Sequence, residues 1–342
     1  MTTMIQVLVR LLASAAVSLA SGAAFAQSAG TKLDAVTFGT NWLAQAEQGG
    51  YYQALADGTY KKFGLDVTIR QGGPQAANRN LLIAGKIDFY MGGTLGSFDA
   101  VKQGIPVVTV AAIFQKDPQV LMAHPDAGIE TFADLAKLPT IFMGKEGYIT
   151  FFTWMKANYK GFNDGQFKPY QFNPAPFIAD AKSAQQGYIT SEPYEVAKQA
   201  GWSPKAFLLA DQGYNPYSTT IETQSKMVKE KPELVQRFVD ATIIGWYTYL
   251  NGNNAAANRL IKQDNPDMTD EQIAYSIRTM KSAGIVVSGE AETKGIGCMT
   301  DAHYKDFFDK MVAIGIVDAS LDYRSAYTTQ FVCKGVGMGS KG

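Results

Sequence analysis

Residues 36–69, VTFGTNWLAQAEQGGYYQALADGTYKKFGLDVTI, decide the fold of this chain. The run begins with a short apolar strand, passes through an aromatic-bearing loop into a helix, and ends in Leu65-Asp66-Val67-Thr68-Ile69, whose period of two is typical of a strand. A ligand site on such a unit lies at the carboxyl end of the first strand, facing the helix N-terminus. The stretch therefore predicts an α/β fold and a position for a ligand.

A signal peptide is predicted at residues 1–26. This leader contains one base, Arg10, no acidic residue, and an apolar run ending in Ala24-Phe25-Ala26, the small-x-small pattern that signal peptidase cleaves. A membrane anchor or a buried helix is the alternative, but the run is short and rich in Ala and Ser. The sequence therefore predicts an exported protein of the periplasm.

Composition restricts the partners and the number of domains. The chain has 31 Lys and Arg against 31 Asp and Glu, so nothing favours nucleic acid or an anionic membrane as a partner. Removal of the leader leaves about 316 residues, which exceeds the usual size of one core. We expect two domains, a small-molecule ligand and a monomer.

Strands and helices alternate through the first two thirds of the chain. Strands are predicted at 36–39, 65–69, 87–91 and 106–114, and then at 140–143, 168–172, 188–190 and 206–209. Helices are predicted between them at 50–63, 75–84, 95–103, 149–159, 176–186 and 193–200. Repeated strand–helix–strand units predict largely parallel sheets with helices on both faces.

Two polar or turn-rich crossovers, at 115–118 and 210–217, divide this pattern into two α/β lobes. Residues 218–223 are predicted to return as a strand to the first sheet, followed by helices at 231–250, 270–282 and 301–314; the apolar stripe of 231–250 indicates core packing. Lobe 1 is assigned to 27–116 and 212–342, and lobe 2 to 117–211. Two lobes joined by two crossovers predict a hinged cleft that captures a small molecule by closing.

The order of several motifs resembles one family over nearly the whole mature chain. These motifs are Asn41-Trp42, Gly50-Tyr51-Tyr52 with the following run to Gly64-Leu65-Asp66-Val67, Ala84-Gly85-Lys86-Ile87-Asp88-Phe89, Pro232-Glu233-Leu234-Val235, Gly297-Cys298-Met299-Thr300-Asp301, and Tyr327-Thr328-Thr329-Gln330-Phe331. The chain resembles the periplasmic substrate-binding proteins of ABC importers in the nitrate/sulfonate/taurine and thiamine-pyrimidine-precursor superfamily, closest to the pyrimidine-precursor branch. The resemblance implies a type II periplasmic-binding-protein fold and an ABC permease as partner.

The resemblance has one departure that concerns the ligand. Pyrimidine-binding relatives typically carry Asp-Trp with a Pro-Asn-x-x-His loop, whereas here Asn41-Trp42 is followed by Leu43-Ala44-Gln45-Ala46-Glu47-Gln48. The aromatic platform is kept and the Asn and His of the loop are replaced.

Candidate ligand-binding residues lie at strand ends and helix starts in both lobes. They are Asn41, Trp42, Gln45, Gly93, Thr94, Tyr148, Thr150, Glu192 and Tyr217. An indole at Trp42 can stack on a flat heterocycle, and a carboxylate at Glu192 can accept N–H bonds from an amidine-like edge. The alternatives are structural: a core tryptophan, a helix-capping acid, Gly-rich turn backbone, and hinge packing of Tyr217.

Two cysteines, Cys298 and Cys333, are too few for a metal cluster. In an oxidising compartment a disulfide between them is expected, with two buried free thiols as the alternative. The two histidines, His124 and His303, are far apart, and no metal or nucleophile motif is present. We therefore expect neither a metal, nor a cofactor, nor an enzyme.

These observations predict capture of a planar nitrogen heterocycle, such as a thiamine pyrimidine precursor or a flavin, and its delivery to an ABC permease. Sulfonate, nitrate or an aromatic acid is the alternative ligand, which calls for a cation; Lys145 is the one cation in the loops singled out. A binding lobe that signals to a membrane sensor also stays open. Thiamine-pyrimidine synthases are an enzyme alternative, but this chain lacks their cysteine-rich motif.

Overall fold

The computed structural model describes residues 32–339, and the expected signal peptide lies outside the described residues. No helix within this range is both long enough and apolar enough to cross a membrane. The strands of this range are β1 (Asp34–Gly39), β2 (Leu65–Arg70), β3 (Phe89–Gly93), β4 (Val107–Phe114), β5 (Gln119–Ala123), β6 (Thr140–Met143), β7 (Phe167–Pro169), β8 (Ser183–Tyr188), β9 (Lys205–Leu208) and β10 (Ser218–Gln224).

Helices cover the sheets and form most of the C-terminal third. They are α1 (Gly49–Ala56), α2 (Thr59–Lys62), α3 (Asn78–Ile83), α4 (Thr94–Lys102), α5 (Lys145–Ile149), α6 (Phe151–Asn158), α7 (Ala175–Ala179), α8 (Glu192–Ala200), α9 (Ser225–Glu230), α10 (Pro232–Asn251), α11 (Ala255–Asp264), α12 (Asp270–Ser282), α13 (Glu290–Lys294) and α14 (Asp301–Ala313).

The described strands form two five-stranded sheets, ordered β2-β1-β3-β10-β4 and β7-β6-β8-β5-β9. The chain passes from the first sheet to the second between β4 and β5, and returns between β9 and β10. The first strand after each crossing runs antiparallel to both of its neighbours: β5 to β8 and β9, and β10 to β3 and β4. We call the first sheet with its helices lobe 1 and the second sheet with its helices lobe 2.

Helix α10 packs the largest side chains of lobe 1 against α1 and the first sheet. The stripe predicted from its sequence is buried throughout, at Val235, Phe238, Val239, Thr242, Trp246 and Tyr249. The ring of Phe238 stacks on Phe89 of β3 at 4.1 Å and on Tyr60 of α2 at 5.5 Å between centroids. The core assignment of this stripe is therefore confirmed.

Gly245 allows α10 and α1 to approach closely. A Cβ atom at this position would lie 2.3 Å from the carbonyl oxygen of Gly50 and 2.7 Å from the Cβ of Ala54. We expect Gly245→Ala to lower the free energy of unfolding by about 2 kcal/mol, because overpacking against fixed backbone outweighs the gain of about 1 kcal/mol in helix propensity. Urea unfolding measures this difference.

Gly96 provides the matched control for that substitution. It lies in α4, where an added Cβ would meet only ordinary contacts, the nearest being the guanidinium of Arg79 at 3.4 Å. Gly96→Ala should therefore leave the protein as stable as the wild type or more so. Equal effects of the two substitutions would contradict the close helix contact.

Two boundaries in lobe 1 differ from the sequence prediction. The helix predicted at 50–63 is interrupted between α1 and α2, where Asp57 accepts the N–H of Thr59 at 2.9 Å and Gly58 takes a φ of 74°. The helix predicted at 75–84 begins only at Asn78. The strand predicted to return to the first sheet at 218–223 is present as β10, and the structure shows that it runs antiparallel to both neighbours.

The larger errors concern lobe 2. Residues 176–186 were predicted as a helix, and the helix there ends at Ala179, whereas Ser183–Tyr188 forms the central strand β8. The strand predicted at 188–190 overlaps β8 only at Tyr188, and β5 was not predicted. Strand β8 is hydrogen-bonded to β5 and β6, and β5 is hydrogen-bonded to β8 and β9. Because β8 is paired on both sides, tertiary pairing overrides the weak strand propensity of its sequence, Ser-Ala-Gln-Gln-Gly-Tyr.

A disulfide between Cys298 and Cys333 is present, as expected. It joins the segment before α14 to the C-terminal tail. Gly297 forms an isolated bridge to Ala112 of β4, and Tyr327 forms another to Thr109 of the same strand. The disulfide therefore closes a segment that is attached to the sheet at both of its ends.

Candidate functional site

The carboxyl ends of β1 and β3 in lobe 1 face the carboxyl ends of β6 and β8 in lobe 2. Side-chain contacts join the loops and helices at these ends across the two lobes. Among them are Trp42 to Phe172, Glu47 to Thr190, Ser276 to Thr190, Tyr275 to Ile189 and Tyr275 to Tyr194. In α/β proteins ligands bind where the carboxyl ends of strands leave a crevice. We call this region, between the two sheet edges, the interlobe cleft.

Trp42 stands at the lobe 1 side of the cleft, immediately after β1. Its carbonyl oxygen accepts the Thr40 hydroxyl at 2.7 Å and the N–H of Gly72 at 3.1 Å, which fixes the backbone of the loop. The indole is half-buried and lies 4.9 Å, between ring centroids, from Phe172 of lobe 2. The position predicted for an aromatic platform is thus held rigidly at the cleft, with one aromatic neighbour from the other lobe.

Glu47 makes a direct polar contact between the lobes. It lies in a short 3-10 turn before α1, is 3 % exposed, and accepts a hydrogen bond from the hydroxyl of Thr190. Burial raises the pKa of the Glu47 carboxyl to about 7, although the bond from Thr190 opposes the shift. The hydroxyl of Ser276 in α12 donates to the Thr190 carbonyl oxygen at 2.6 Å, so Thr190 is hydrogen-bonded to lobe 1 through both its side chain and its backbone.

Glu192 is the first residue of α8, where the helix dipole favours a carboxylate. Its Oε2 accepts the N–H of Tyr188 at 2.7 Å, so the side chain folds back over the end of β8. An added Cβ at Gly187 would lie 2.6 Å from the Cβ of Glu192, so only glycine allows this approach. Burial raises the pKa of Glu192, which keeps part of its carboxyl population protonated at higher pH than usual.

Tyr188 is the last residue of β8 and lies beside Glu192, whose carboxyl accepts its backbone N–H. Burial is the main cause that raises the pKa of its hydroxyl, and the carboxylates of Asp117, Glu146, Glu192 and Glu47 add to the effect. Asp117 lies on the first crossover, where burial raises its pKa to about 7 and its N–H donates to Asn215 of the second crossover at 2.9 Å. Carboxylates from lobe 1, from lobe 2 and from the first crossover therefore act together on one hydroxyl, that of Tyr188.

Sequence reasoning did not identify Glu47, Asp117 or Tyr188 as site residues. Glu47 stands inside the stretch that decided the fold, and its signal was a lone acid in a turn of Ala and Gln directly before Gly49-Gly50. Tyr188 was predicted to begin a strand, whereas it is the last residue of β8. Asp117 was counted only as part of a polar crossover.

Thr94 and Tyr217, two more of the predicted site residues, make contacts within the protein. The N–H and hydroxyl of Thr94, which follows Gly93 of β3, both donate to the carbonyl oxygen of Tyr217, at 3.1 and 3.0 Å. Tyr217 is buried and stacks on His303 at 3.8 Å, which agrees with hinge packing. A ligand role for these three residues stays a prediction.

The four other predicted residues lie on both lobes. Tyr148 donates to Asp164 at 3.0 Å, and the hydroxyl of Thr150 donates to the carbonyl oxygen of Glu146 at 2.7 Å. Asn41 is exposed, and Gln45 is the N-cap of the turn that carries Glu47. Ligand binding by these side chains also stays a prediction.

Across residues 32–339, no group of three His, Cys, Asp or Glu is placed to hold a metal ion.

Two α/β lobes with this strand order, joined by two crossovers and facing each other across a cleft, define the periplasmic binding protein fold. A putative periplasmic sulfonate-binding protein of an ABC transporter from Methylobacillus flagellatus has this fold with a TM-score of 0.59, at 14% identity over 88% of this chain and 93% of that one. The desulfurization enzyme DSZB is similar too, with a TM-score of 0.57 at 12% identity over 87% of this chain and 97% of that one. The fold class expected from the sequence is confirmed.

The chain belongs to the NMT1/THI5-like family, whose model matches residues 45–256, more than half of the sequence. It is 24% identical to the riboflavin-binding protein RibY of Chloroflexus aurantiacus over 317 residues, which are 91% of this chain and 89% of that protein. The protein is thus of the solute-binding type, and the family predicted from the sequence motifs is confirmed.

The raised pKa of Glu47 predicts a pH dependence of stability. Between the ordinary carboxyl pKa of 4.5 and about 7 the folded protein binds the proton that the unfolded chain has released. The stability that the neutral carboxyl contributes is therefore present at low pH and is lost as the pH rises through this window. We expect the melting temperature to fall by a few degrees between about pH 5 and about pH 8.

Glu47→Gln is the matched variant for this prediction. Its amide keeps an acceptor for the Thr190 hydroxyl and cannot titrate, so the fall in melting temperature over the same pH interval should be smaller. Asp117, whose pKa is raised in the same direction, is present in both proteins and cancels in the comparison. Parallel curves for the two proteins would show that Glu47 does not titrate in this window.

Proposed function

We propose that this protein is an exported solute-binding protein that captures a planar nitrogen heterocycle in the interlobe cleft and delivers it to an ABC permease. The observation that carries the proposal is the presence at the cleft of an aromatic platform, Trp42, and of two carboxyls whose pKa values are raised, the buried Glu47 and the half-buried Glu192. Thiamine pyrimidine precursors and flavins are the heterocycles with the matching chemistry.

Each part of the cleft supports a different feature of such a ligand. An indole face stacks on a flat ring and contributes about 0.5–1.5 kcal/mol beyond the area that is buried. A protonated carboxyl donates to a ring nitrogen or a carbonyl oxygen, and an ionised carboxyl accepts from an N–H group. The Tyr188 hydroxyl can do either. A ring with alternating donors and acceptors on its edge, as in pyrimidines and flavins, uses all three kinds of group.

The same charges disfavour an anion. A sulfonate or nitrate would lie among Glu47, Glu192, Asp117 and Glu146, which repel it whenever they are ionised. Lys145, the cation that the sequence offers for an anionic ligand, is exposed at the start of α5. The riboflavin-binding relative is consistent with the heterocycle, while the sulfonate-binding neighbour shares the fold at low identity.

The periplasm is the compartment this proposal requires. The leader predicted at 1–26 supplies the export signal, the Cys298–Cys333 disulfide suits an oxidising environment, and the sulfonate-binding structural neighbour is a periplasmic protein of an ABC transporter. The permease would recognise the closed form, because a ligand that bridges both lobes favours closure by its differential affinity for that state.

A thermal-shift panel on the protein from Gln27 onward tests the ligand class. The panel contains riboflavin, 4-amino-5-hydroxymethyl-2-methylpyrimidine, taurine and nitrate. A ligand at 100 times its dissociation constant adds about 2.7 kcal/mol, which raises the melting temperature of a chain of this size by about 5 °C. We expect riboflavin or the pyrimidine to do so. Stabilisation by taurine or nitrate alone would contradict the heterocycle.

Lys145→Ala sharpens this test. If the ligand is a heterocycle held by Trp42 and the carboxyls, the variant should show the same thermal shift as the wild type. If the ligand is an anion held by Lys145, its shift should disappear in the variant.

A further inference from the structure

Phe172 is an unusual residue of lobe 2. Its side chain is 55 % exposed, and its backbone has a φ of 57°, in the left-handed region that disfavours bulky residues. The strand predicted for 168–172 ends at Pro169, so Phe172 lies in the loop beyond β7. Strained backbone conformations persist where the surrounding structure holds them, and they cluster at ligand clamps and switch regions.

The ring of Phe172 connects the two lobes. On one side it lies 5.4 Å from the ring of Tyr170, which is buried in lobe 2, and on the other side it lies 4.9 Å from Trp42 of lobe 1. Both pairs are tilted, at 54° and 48°, within the range of favourable aromatic contacts. Three rings therefore form a continuous row from the interior of lobe 2 to lobe 1.

Strand order shows where this row lies. β7 is the edge strand of the second sheet, and β1 is next to the edge of the first. Both crossovers leave from the opposite side, where β4 is the edge of the first sheet and β9 is the edge of the second. The Trp42–Phe172 contact thus closes the end of the cleft that is farthest from the crossovers, where opening of the lobes separates them most.

We propose that Phe172 is a gate: its contact with Trp42 closes the mouth of the interlobe cleft and sets how rapidly a bound molecule leaves. The proposal rests on the proposed function for the site that it gates, and the contact itself joins two side chains of the protein. Loss of the ring shifts the lobes towards the open form. Dissociation of the ligand becomes faster, while association, which begins from the open form, changes little.

The first test measures the lobes without ligand. The native cysteines are bonded to each other, so cysteines introduced by Lys61→Cys in lobe 1 and Lys168→Cys in lobe 2, both exposed positions, accept a donor and an acceptor dye. Single-molecule energy transfer then reports the closed fraction. We expect Phe172→Ala to lower the ratio of closed to open molecules at least threefold, and Phe172→Tyr, which keeps the ring, to restore it. An unchanged ratio in Phe172→Ala overturns the gate.

The second test measures kinetics with riboflavin. Stopped-flow dissociation from Phe172→Ala should be about tenfold faster than from the wild type, with an association rate within threefold. Ile149→Ala, which removes another exposed apolar side chain of lobe 2, should match the wild type. An equal dissociation rate in Phe172→Ala overturns the gate. If riboflavin fails to bind the wild type, that result counts against the proposed ligand, and the ligand-free measurement decides the gate.

Discussion

Removing the disulfide through the paired substitutions Cys298→Ser and Cys333→Ser is expected to lower the free energy of unfolding by about 4 kcal/mol. The bond joins residues 35 apart in the sequence, and a cross-link over a loop of this length removes about that much chain entropy from the unfolded state. This is the largest loss of stability among the substitutions that we propose.

The surroundings of the disulfide explain why the native state benefits from it. Cys298 is fully buried, and the tail residues Phe331 and Val332 pack into the core just before Cys333. The tail pairs with β4 through a single bridge, from Tyr327 to Thr109, so few backbone hydrogen bonds hold it otherwise.

Calorimetry of the wild type, the double variant and the reduced wild type makes the comparison. The double variant and the reduced protein should melt at similar temperatures, well below the oxidised wild type. A double variant that melts within a degree of the oxidised protein would contradict this role.

Trp42→Ala is expected to weaken binding of riboflavin by about 2–3 kcal/mol, which is a factor of about 30 to 150 in the dissociation constant. Trp42 stands just after β1, where hydrogen bonds to its carbonyl oxygen fix its backbone, and its indole offers a large ring face on the lobe 1 side of the contact with Phe172. Its loss removes both the stacking surface and the apolar area that a flat ligand covers. Calorimetric titration gives the two dissociation constants.

Trp42→Phe is the matched control for that prediction. It keeps an aromatic face of smaller area, so its affinity should lie between those of the wild type and Trp42→Ala. The indole is half-buried and at the surface of the lobe, so neither substitution should change the melting temperature of the free protein by more than a few degrees. Equal affinity of all three proteins for riboflavin would show that Trp42 does not touch the ligand.

Local sequence patterns predicted the architecture well where they were strong. The alternation of Leu65–Arg70, the apolar stripe of α10 and the returning strand β10 all carry a clear period or a boundary signal. The central strand β8 failed because Ser183–Tyr188 has neither branched residues nor an apolar run. Its conformation comes from pairing with β5 and β6, and a single sequence does not contain that information in any local window.

The site was predicted in part for the same reason. Trp42 and Glu192 stand at the ends of recognisable elements, so their positions at the cleft followed from the strand–helix pattern. Glu47 became a candidate only when the fold brought it to Thr190, 143 residues away in the sequence. Phe172 was not identified as a loop residue, because the strand predicted at 168–172 extended three residues beyond the end of β7. Contacts between lobes depend on the relative placement of distant segments, and a local pattern carries no signal for them.

The central claim is that a planar nitrogen heterocycle lies in the interlobe cleft against Trp42. Crystal structures of the mature protein grown with riboflavin and, in parallel, with taurine test this claim most directly. We predict electron density for the isoalloxazine ring stacked on Trp42, with its edge facing Glu47, Tyr188 and Glu192, and no taurine in the cleft. Taurine in the cleft together with a cleft free of flavin at saturating riboflavin would contradict the account.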